Sequence, residues 1–248
     1  MKIHKTSIIE DGAKLGSNVS IGPYSHIGKN VILGDNVVIQ GYCEIGVHSF
    51  GDNKKLLQIG DNSLIRSKSI FYTGSTFGPK LITGHNVTVR ENVIAGKNLQ
   101  LGTLTDIQGD CKIGDYVRCH SNVHIGKTSK IGNFVWIYPY VVLTNDPTPP
   151  STQLINVVLE DFVVIAVMST ILPGVILREG TLVGAHSNVR NDTNPNTLVS
   201  GNPAMEKCLA SKIKLKDGSK KNAYPWIRHF HKSYPPEIIK EWKRKFKN

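Results

Sequence analysis

The 248-residue chain is long enough to form one or two domains with a stable core. It has no run of about 18 apolar residues and begins Met1-Lys2-Ile3-His4 rather than with an apolar signal segment, so we expect a cytoplasmic protein without an integral membrane segment. The net charge of +11 is concentrated after residue 204, where 13 Lys and Arg face 4 Asp and Glu. This placement argues against a repeat domain that binds nucleic acid.

Apolar residues recur every six positions in three runs of the chain. The first run extends from Ile3 to Ile45, the second from Ile59 to Leu143 and the third from Leu159 to Val189. Two interruptions separate the runs, at about residues 47–56 and 144–157, and each shifts the six-residue frame. The second contains several prolines, which cannot donate to a strand ladder. Both interruptions are therefore predicted to be protruding loops.

The six-residue unit has a regular internal pattern. A second buriable residue usually lies two positions before the apolar one, as expected when alternate strand residues point inward. Glycine or a short polar residue often follows, where the chain can turn sharply. Short strands joined by regular corners predict an all-β fold, a parallel β-helix of hexapeptide repeats. Cys43, Cys111 and Cys119 fall at inward positions and are predicted to be core residues.

The C-terminal segment has a different pattern. Pro235 and Pro236 precede apolar residues at helical spacing, among them Ile239, Trp242 and Phe246. We therefore predict a packed terminal helix that caps the solenoid. The predicted organisation is a β-helix domain over residues 1–204 and a basic segment with a terminal helix over residues 205–248.

The hexads, the loop sequence Thr144-Asn145-Asp146-Pro147 and the closing sequence Val199-Ser200-Gly201-Asn202-Pro203-Ala204 resemble those of the left-handed β-helix acyltransferases. The phrases Asp106-Ile107-Gln108-Gly109 and His120-Ser121-Asn122-Val123-His124-Ile125-Gly126 are similar to those of N-acetyltransferases acting on nucleotide-linked amino-deoxysugars. The resemblance implies a left-handed coil, a homotrimer and acetyl-CoA in the groove between subunits. It also implies an acceptor that is a nucleotide-linked amino sugar, a dTDP-linked 3-amino- or 4-amino-dideoxyhexose of surface-glycan biosynthesis, and no metal.

If the coil of this family has three hexads, residues 18 apart stack on neighbouring turns at the strand spacing of about 4.8 Å. One outward column is then Thr88, Asp106, His124 and Val142, in which Asp106 can hold His124. A second column is Gly84, Gly102, His120 and Tyr138, where the glycines are expected to leave room for a ligand. A third column, which includes Asn122, runs beside it.

The predicted catalytic residues are His120, Asn122, Asp106 and His124. A sugar amine is partly neutral at cellular pH, so positioning and stabilisation of an oxyanion would supply most of the catalysis. We place His120 closest to the amine, with Asn122 and Asp106 as polar partners. The alternative is that His124 is a surface histidine bonded to Asp106, and that Asn122 satisfies backbone groups of its corner.

Contacts to the cofactor and the acceptor follow from the resemblance and from side-chain size. A pantetheine arm paired with backbone needs small residues along its path, and an arginine could meet the phosphates of the cofactor. The candidates for cofactor binding are Ala166, Ser169, Gly184, Ala185 and Arg190. The candidates for substrate binding are His85, Arg90, Glu91, Tyr138, Asn145 and Asp146. Phe50, Lys54 and Lys55 of the first loop could contact the nucleotide.

Other functions remain open at this stage. O-acetyltransferases share the hexads, and a hydroxyl acceptor would need a firm general base such as His120. The γ-class carbonic anhydrases share the fold and bind zinc through three histidines, for which His85, His120 and His124 are the candidates, although their spacing differs from that of the family. A non-catalytic assembly rod is a third alternative, and the two protruding loops argue against it.

Overall fold

The computed structural model describes residues 1–49 and 55–245, and its strands follow the hexads. The first run forms β1 (Lys2–Ile3), β2 (Ile8–Ile9), β3 (Lys14–Leu15), β4 (Ser20–Ile21), β5 (His26–Ile27), β6 (Val31–Leu33), β7 (Val38–Ile39) and β8 (Glu44–Val47). The second forms β9 (Leu57–Ile59), β10 (Leu64–Ile65), β11 (Ile70–Tyr72), β12 (Thr76–Phe77), β13 (Ile82–Thr83), β14 (Thr88–Val89), β15 (Ile94–Ala95), β16 (Gln100–Leu101), β17 (Asp106–Ile107), β18 (Lys112–Ile113), β19 (Arg118–Cys119), β20 (His124–Ile125), β21 (Lys130–Ile131), β22 (Trp136–Ile137) and β23 (Val142–Leu143). The third forms β24 (Val158–Leu159), β25 (Val164–Ile165), β26 (Thr170–Ile171), β27 (Ile176–Leu177), β28 (Leu182–Val183) and β29 (Asn188–Val189), and β30 (Thr197–Ser200) and β31 (Met205–Leu209) follow.

Every third strand pairs in parallel, so the chain winds as a three-sided prism. Within a run the paired residues are 18 apart, as in Lys2 with Ser20 and His124 with Val142. Face A is the sheet from β1 to β31, face B the sheet from β2 to β29, and face C the sheet from β3 to β27. The fold is a left-handed parallel β-helix of hexapeptide repeats, as predicted.

The frame residues fill the axis of the prism. Those of the second run are all buried, and Thr83, the polar exception, accepts a hydrogen bond from the Arg66 amide at 2.8 Å. Burial is less complete at the N-terminal end, where Ile3 is 42% exposed because no turn lies beneath it. Cys43 and Cys111 are buried, as the inward frame predicts.

The two interruptions change the register between turns. Ile32 of β6 pairs with Gln58 across the first, a step of 26 residues, and Lys130 pairs with Val158 across the second, a step of 28. Val47, which was placed in the first loop, belongs to β8 and pairs with Tyr72. Residues 50–54 of this loop lie outside the described residues.

The C-terminal segment returns to the prism. β31 pairs antiparallel with β30 and extends face A, so the boundary predicted at residue 204 falls at the end of the turn between these strands. Two 3-10 turns follow, Ala210–Lys212 and Trp226–Arg228, and then the predicted helix, α1 (Pro236–Lys245). Phe246, which was predicted to continue this helix, lies outside the described residues. No helix in the described part of the chain is long and apolar enough to cross a bilayer.

An aromatic cluster holds this segment on the corner between faces C and A. Tyr116, Phe134 and Phe162 occupy that corner on successive turns, with ring centroids 5.1 Å apart at each step. Trp226, Tyr234 and Trp242 of the C-terminal segment pack over them. The Trp136 indole N–H donates to the Tyr234 hydroxyl at 2.7 Å. The C-terminal segment is therefore part of the folded core rather than a free tail.

The substitution Phe71→Ala tests the packing of the axis. Phe71 is fully buried and contacts Phe77 edge to face at 5.3 Å. The cavity should lower the free energy of unfolding by about 3–5 kcal/mol, measured by urea denaturation followed by circular dichroism. The control is Tyr24→Ala, because Tyr24 is 60% exposed and its ring stacks on the exposed Tyr42. Equal losses in the two variants would contradict this account of the core.

Candidate functional site

A carboxylate–imidazole pair lies on face B. Asp106 and His124 are register partners on β17 and β20, as the predicted column required. The Asp106 Oδ2 atom lies 3.0 Å from the His124 Nδ1 atom, and the Gln108 side-chain amide donates to the same carboxylate. Because a carboxylate accepts the Nδ1 proton, the Nε2 atom of His124 is left as the proton acceptor.

The surroundings keep Asp106 ionised. Burial would raise the pKa of Asp106, but hydrogen bonds from His124 and Gln108, and the nearby charges of His124 and Arg90, outweigh it and lower the pKa. An ionised carboxylate fixes both the tautomer and the orientation of the imidazole. The arrangement can remove a proton from a weakly acidic group such as a hydroxyl.

Further charges lie beside this pair, at the corner between faces B and C. Arg90 bonds Glu91 at 3.1 Å and lies 5.5 Å from the centroid of the Tyr72 ring. Lys127 bonds Asp110 at 3.1 Å. Arg90 and Glu91 are predicted substrate-binding residues. The charge of Arg90 acts on Asp106, and Glu91 is bonded to Arg90. Of the other four substrate-binding candidates, His85 and Tyr138 lie apart from the Asp106–His124 pair, and Asn145 and Asp146 lie in the second loop.

His120 lies on the other side of the corner that separates faces A and B. Its ring stacks on Tyr138 with a centroid distance of 4.5 Å and is tilted against Trp136 at 5.8 Å. Burial lowers the pKa of His120, which favours the neutral imidazole. His120 and Tyr138 line an open groove of about 460 Å³ on face A. The structure therefore places Asp106 and His124 on face B, and His120 and Asn122 at the corner between faces A and B.

The corner glycines Gly84 and Gly102 also have a structural role, because each lies close to the backbone of the next turn. A Cβ atom on Gly102 would lie 2.3 Å from the backbone carbonyl carbon of His120, and one on Gly84 would lie 2.3 Å from the Thr103 amide nitrogen. The next turn therefore fills the side of each glycine on which a Cβ atom would lie. Gly84 and Gly102 nevertheless line the groove on face A together with His120 and Tyr138, and the C-terminal segment bounds it on the opposite side. That these glycines leave room for a ligand stays a prediction.

Asn122 is a corner residue. Its φ is 59°, a left-handed conformation that asparagine tolerates better than most residues. Its amide donates to the Thr103 carbonyl of the turn below at 2.9 Å. The left-handed backbone explains why asparagine suits this corner, and the predicted catalytic role of Asn122 remains a prediction.

The remaining substrate candidates have local partners. His85 is exposed, and its Nδ1 atom lies 2.7 Å from the Ser67 hydroxyl. The Asn145 carbonyl accepts from the Ile155 amide at 2.8 Å, and Asp146 accepts from the hydroxyl and amide of Ser151. These last two bonds hold the second loop closed on itself. Phe50 and Lys54 of the first loop lie outside the described residues.

The predicted cofactor path does not form a continuous outer surface. Ser169 is fully buried, and its hydroxyl donates to the Gly184 carbonyl at 2.9 Å, because it occupies the inward position two residues before Ile171. A Cβ atom on Gly184 would lie 2.7 Å from the Ser200 Cβ atom of the next turn. Ala166 is half-buried, and Ala185 and Arg190 are exposed.

The groove on face A includes residues that sequence reasoning missed. Arg118, an outward residue of β19, is 2% exposed beneath the C-terminal segment, which contributes Phe230, Lys232 and Ser233 to the groove. A signal was present in the sequence, because Tyr116, Phe134 and Phe162 place rings at equivalent corner positions. Such a column of rings indicates a surface that another part of the chain must cover.

A zinc site of the carbonic anhydrase type receives no support from the side-chain geometry. The described residues contain no cluster of three or more His, Cys, Asp and Glu side chains able to hold a metal ion. Ser67, Tyr138 and Asp106 are the respective neighbours of His85, His120 and His124.

Comparisons with known proteins point to acyltransferases. Residues 12–46 match the family described as bacterial transferase hexapeptide (six repeats). The acyl-[acyl-carrier-protein]–UDP-N-acetylglucosamine O-acyltransferase of Campylobacter concisus is 28% identical over 97% of this chain and 81% of its own length. The enzyme of the same name from Saccharophagus degradans is 33% identical over 53% of this chain, which spans only 48% of that relative. The solved UDP-N-acetylglucosamine acyltransferase of Campylobacter jejuni aligns over 99% of this chain and 83% of its own, with 22% identity and a TM-score of 0.45.

These relatives correct the predicted reaction. They are named O-acyltransferases, with an acyl carrier protein as donor and UDP-N-acetylglucosamine as acceptor. The prediction of N-acetylation of a dTDP-linked amino sugar is therefore wrong, and so are the predictions of acetyl-CoA as cofactor and of an amino sugar as partner. The homotrimer stays a prediction that follows from the resemblance.

The pair on face B predicts a pH-dependent contribution to stability. Because the folded-state pKa of Asp106 lies below its unfolded value of about 3.9, its bonds stabilise the fold above that value and are lost as pH falls through the folded-state pKa. The melting temperature of Asp106→Asn should therefore fall less than that of the parent protein between pH 5 and pH 3, measured by differential scanning calorimetry. An equal fall in both proteins would show that the partners of Asp106 do not stabilise the fold.

Proposed function

We propose that this protein is an O-acyltransferase that moves an acyl group from the thioester of an acyl carrier protein to a hydroxyl of a UDP-linked N-acetylated amino sugar. The observation that carries the proposal is the 3.0 Å contact between Asp106 and the Nδ1 atom of His124. This contact leaves the Nε2 atom as a proton acceptor on an accessible face, since the His124 side chain is 42% exposed.

The choice of a hydroxyl acceptor agrees with this pair. A hydroxyl is far less acidic than an ammonium group and needs a general base as it attacks a carbonyl. A free amine needs only correct positioning. An imidazole oriented by an ionised carboxylate is the arrangement that hydroxyl attack requires.

The reaction can be written with residues of this chain. The His124 Nε2 atom accepts the proton of the sugar hydroxyl while its oxygen attacks the thioester carbonyl. The C–O bond forms, the C–S bond of the tetrahedral intermediate breaks, and the imidazolium returns the proton to the leaving thiolate. Asp106 holds the imidazole throughout and stabilises its cationic form. The products are an O-acyl sugar and a free thiol.

The identities of donor and acceptor are supported by the named relatives. The Campylobacter concisus protein, which aligns over 97% of this chain, is named for both substrates. An acceptor with two phosphates also suits the basic character of this protein, whose net charge is +11.

The substitution His124→Ala tests the reaction. We expect kcat to fall by about 10²- to 10⁴-fold, measured as thiol release from an acyl carrier protein with UDP-N-acetylglucosamine as acceptor. Asp106→Asn should also lower kcat, because it no longer fixes the tautomer of the imidazole. Added imidazole should partly restore turnover of His124→Ala, which a purely structural role would not allow.

The matched control is His4→Asn, because the His4 side chain is exposed in the first turn and, among the described residues, its ring bonds the nearby Thr6. It should retain parental turnover. Full activity of His124→Ala would remove the pair from the mechanism, and absence of thiol release from the parent protein with this donor and acceptor would overturn the proposed substrates.

A further inference from the structure

The groove on face A is positively charged. Three basic residues line it, Arg66, Arg118 and Lys232, and no acidic residue does. None of the three forms a salt bridge with a residue in ranges 1–49 and 55–245. The groove therefore carries positive charge that the described side chains leave uncompensated.

Arg118 is the most informative of the three. Its guanidinium is 2% exposed and donates to carbonyl oxygens of Asn98, Val117 and Ser233 and to the Asn98 side chain. It lies 4.7 Å from the centroid of the Tyr234 ring. Its Nε atom has no hydrogen-bond partner among the described residues. Burial lowers the pKa of Arg118, yet an arginine stays charged in proteins. A buried cation without a carboxylate favours an anion in the adjacent space.

Aromatic rings form another part of the groove surface. His120 stacks on Tyr138, and Trp136 lies next to both. Phe230 of the C-terminal segment contacts the Trp136 ring edge to face at 5.1 Å. Phe230 and Tyr138 are 39% and 38% exposed, so ring surface remains free to contact a ligand. Planar rings beside basic side chains suit a ligand with a heterocyclic base and phosphates.

The volume and the position of the groove agree with such a ligand. About 460 Å³ lies within the range of small-molecule sites. The four residue steps from His120 to His124 can span at most about 14 Å, and this segment links the groove to the pair on face B. A nucleotide in the groove could therefore extend a sugar around the corner towards His124.

We infer that the groove between face A and the C-terminal segment binds the nucleoside diphosphate part of the acceptor. The base contacts the rings of Tyr138 and Phe230, and the phosphates contact Arg66 and Lys232. Arg118 acts as a positioning residue that holds the Ser233 carbonyl and thereby the wall that carries Lys232. The inference rests on the proposed function for the identity of the acceptor, and nucleotide binding can be measured without any reaction.

Isothermal titration calorimetry with UDP tests the inference on the full-length protein. Lys232→Gln and Tyr138→Ala should each weaken UDP binding by about tenfold, from loss of a charged contact and of a ring contact. Higher salt should also weaken binding, because exposed charges contribute to it. Uridine should bind much more weakly than UDP, and pyrophosphate alone should not reproduce the affinity of UDP.

Lys14→Gln is the matched control, because Lys14 is an exposed residue of face C with no salt bridge in the described part of the chain. It should bind UDP as the parent protein does. Arg118→Met should weaken UDP binding and expose the Trp226 region to solvent, seen as a shift in tryptophan fluorescence. Because Lys232 lies on the surface, Lys232→Gln should fold, and the test remains valid if Arg118→Met fails to fold.

The outcomes separate this inference from the proposed function. Unchanged UDP affinity in both Lys232→Gln and Tyr138→Ala would overturn the groove as the nucleotide site, even if thiol release occurs. UDP binding that depends on these residues, together with no thiol release, would retain the groove and overturn the proposed reaction. Equal affinity for uridine and UDP would also overturn the inference, because the cations would then play no part.

Discussion

The structure depends on one constraint, the in-register stacking of turns that are 18 residues long. Each backbone amide of a strand donates to the turn beside it, as the His124 amide does to the Val141 carbonyl at 3.0 Å. A shift of one residue would turn every inward side chain outward, so the buried frame holds the register. The same stacking fixes the outward columns. Asp106 and His124 are partners because the register that pairs buried Ile107 with buried Ile125 also pairs the residues just before them.

The C-terminal segment adds what a regular prism cannot provide. A face of stacked strands is nearly flat, and a small ligand needs a concave site. The aromatic cluster and Arg118 fix this segment against face A, and the space left between them is the groove lined by His120. The buried guanidinium has a desolvation cost, which its carbonyl partners and the Tyr234 ring offset in part. The burial of Arg118 is therefore explained by where it holds the C-terminal segment, and not by stability alone.

The error about the reaction has a physical origin. In the sequence His120-Ser121-Asn122-Val123-His124-Ile125-Gly126, Val123 and Ile125 are inward residues, while Ser121 and Asn122 form a corner. The β-helix fold alone sets most residues of this sequence, so its similarity to amino-sugar enzymes reflects the fold more than the identity of the acceptor. The two histidines are the residues of this sequence that the fold does not require. Their separation on two faces, with a carboxylate on one of them, favours a general base for a hydroxyl.

The sequence by itself determined the hexad strands, the two interruptions and the terminal helix, because the six-residue and helical periodicities set their positions by counting. The three faces and the pairing of Asp106 with His124 were expected from the family resemblance, which implies a coil of three hexads. Only the tertiary structure decided that the C-terminal segment folds over Arg118 and closes a groove on face A. Contacts between segments more than a hundred residues apart follow no period, so aromatic packing and charge burial in three dimensions decide them.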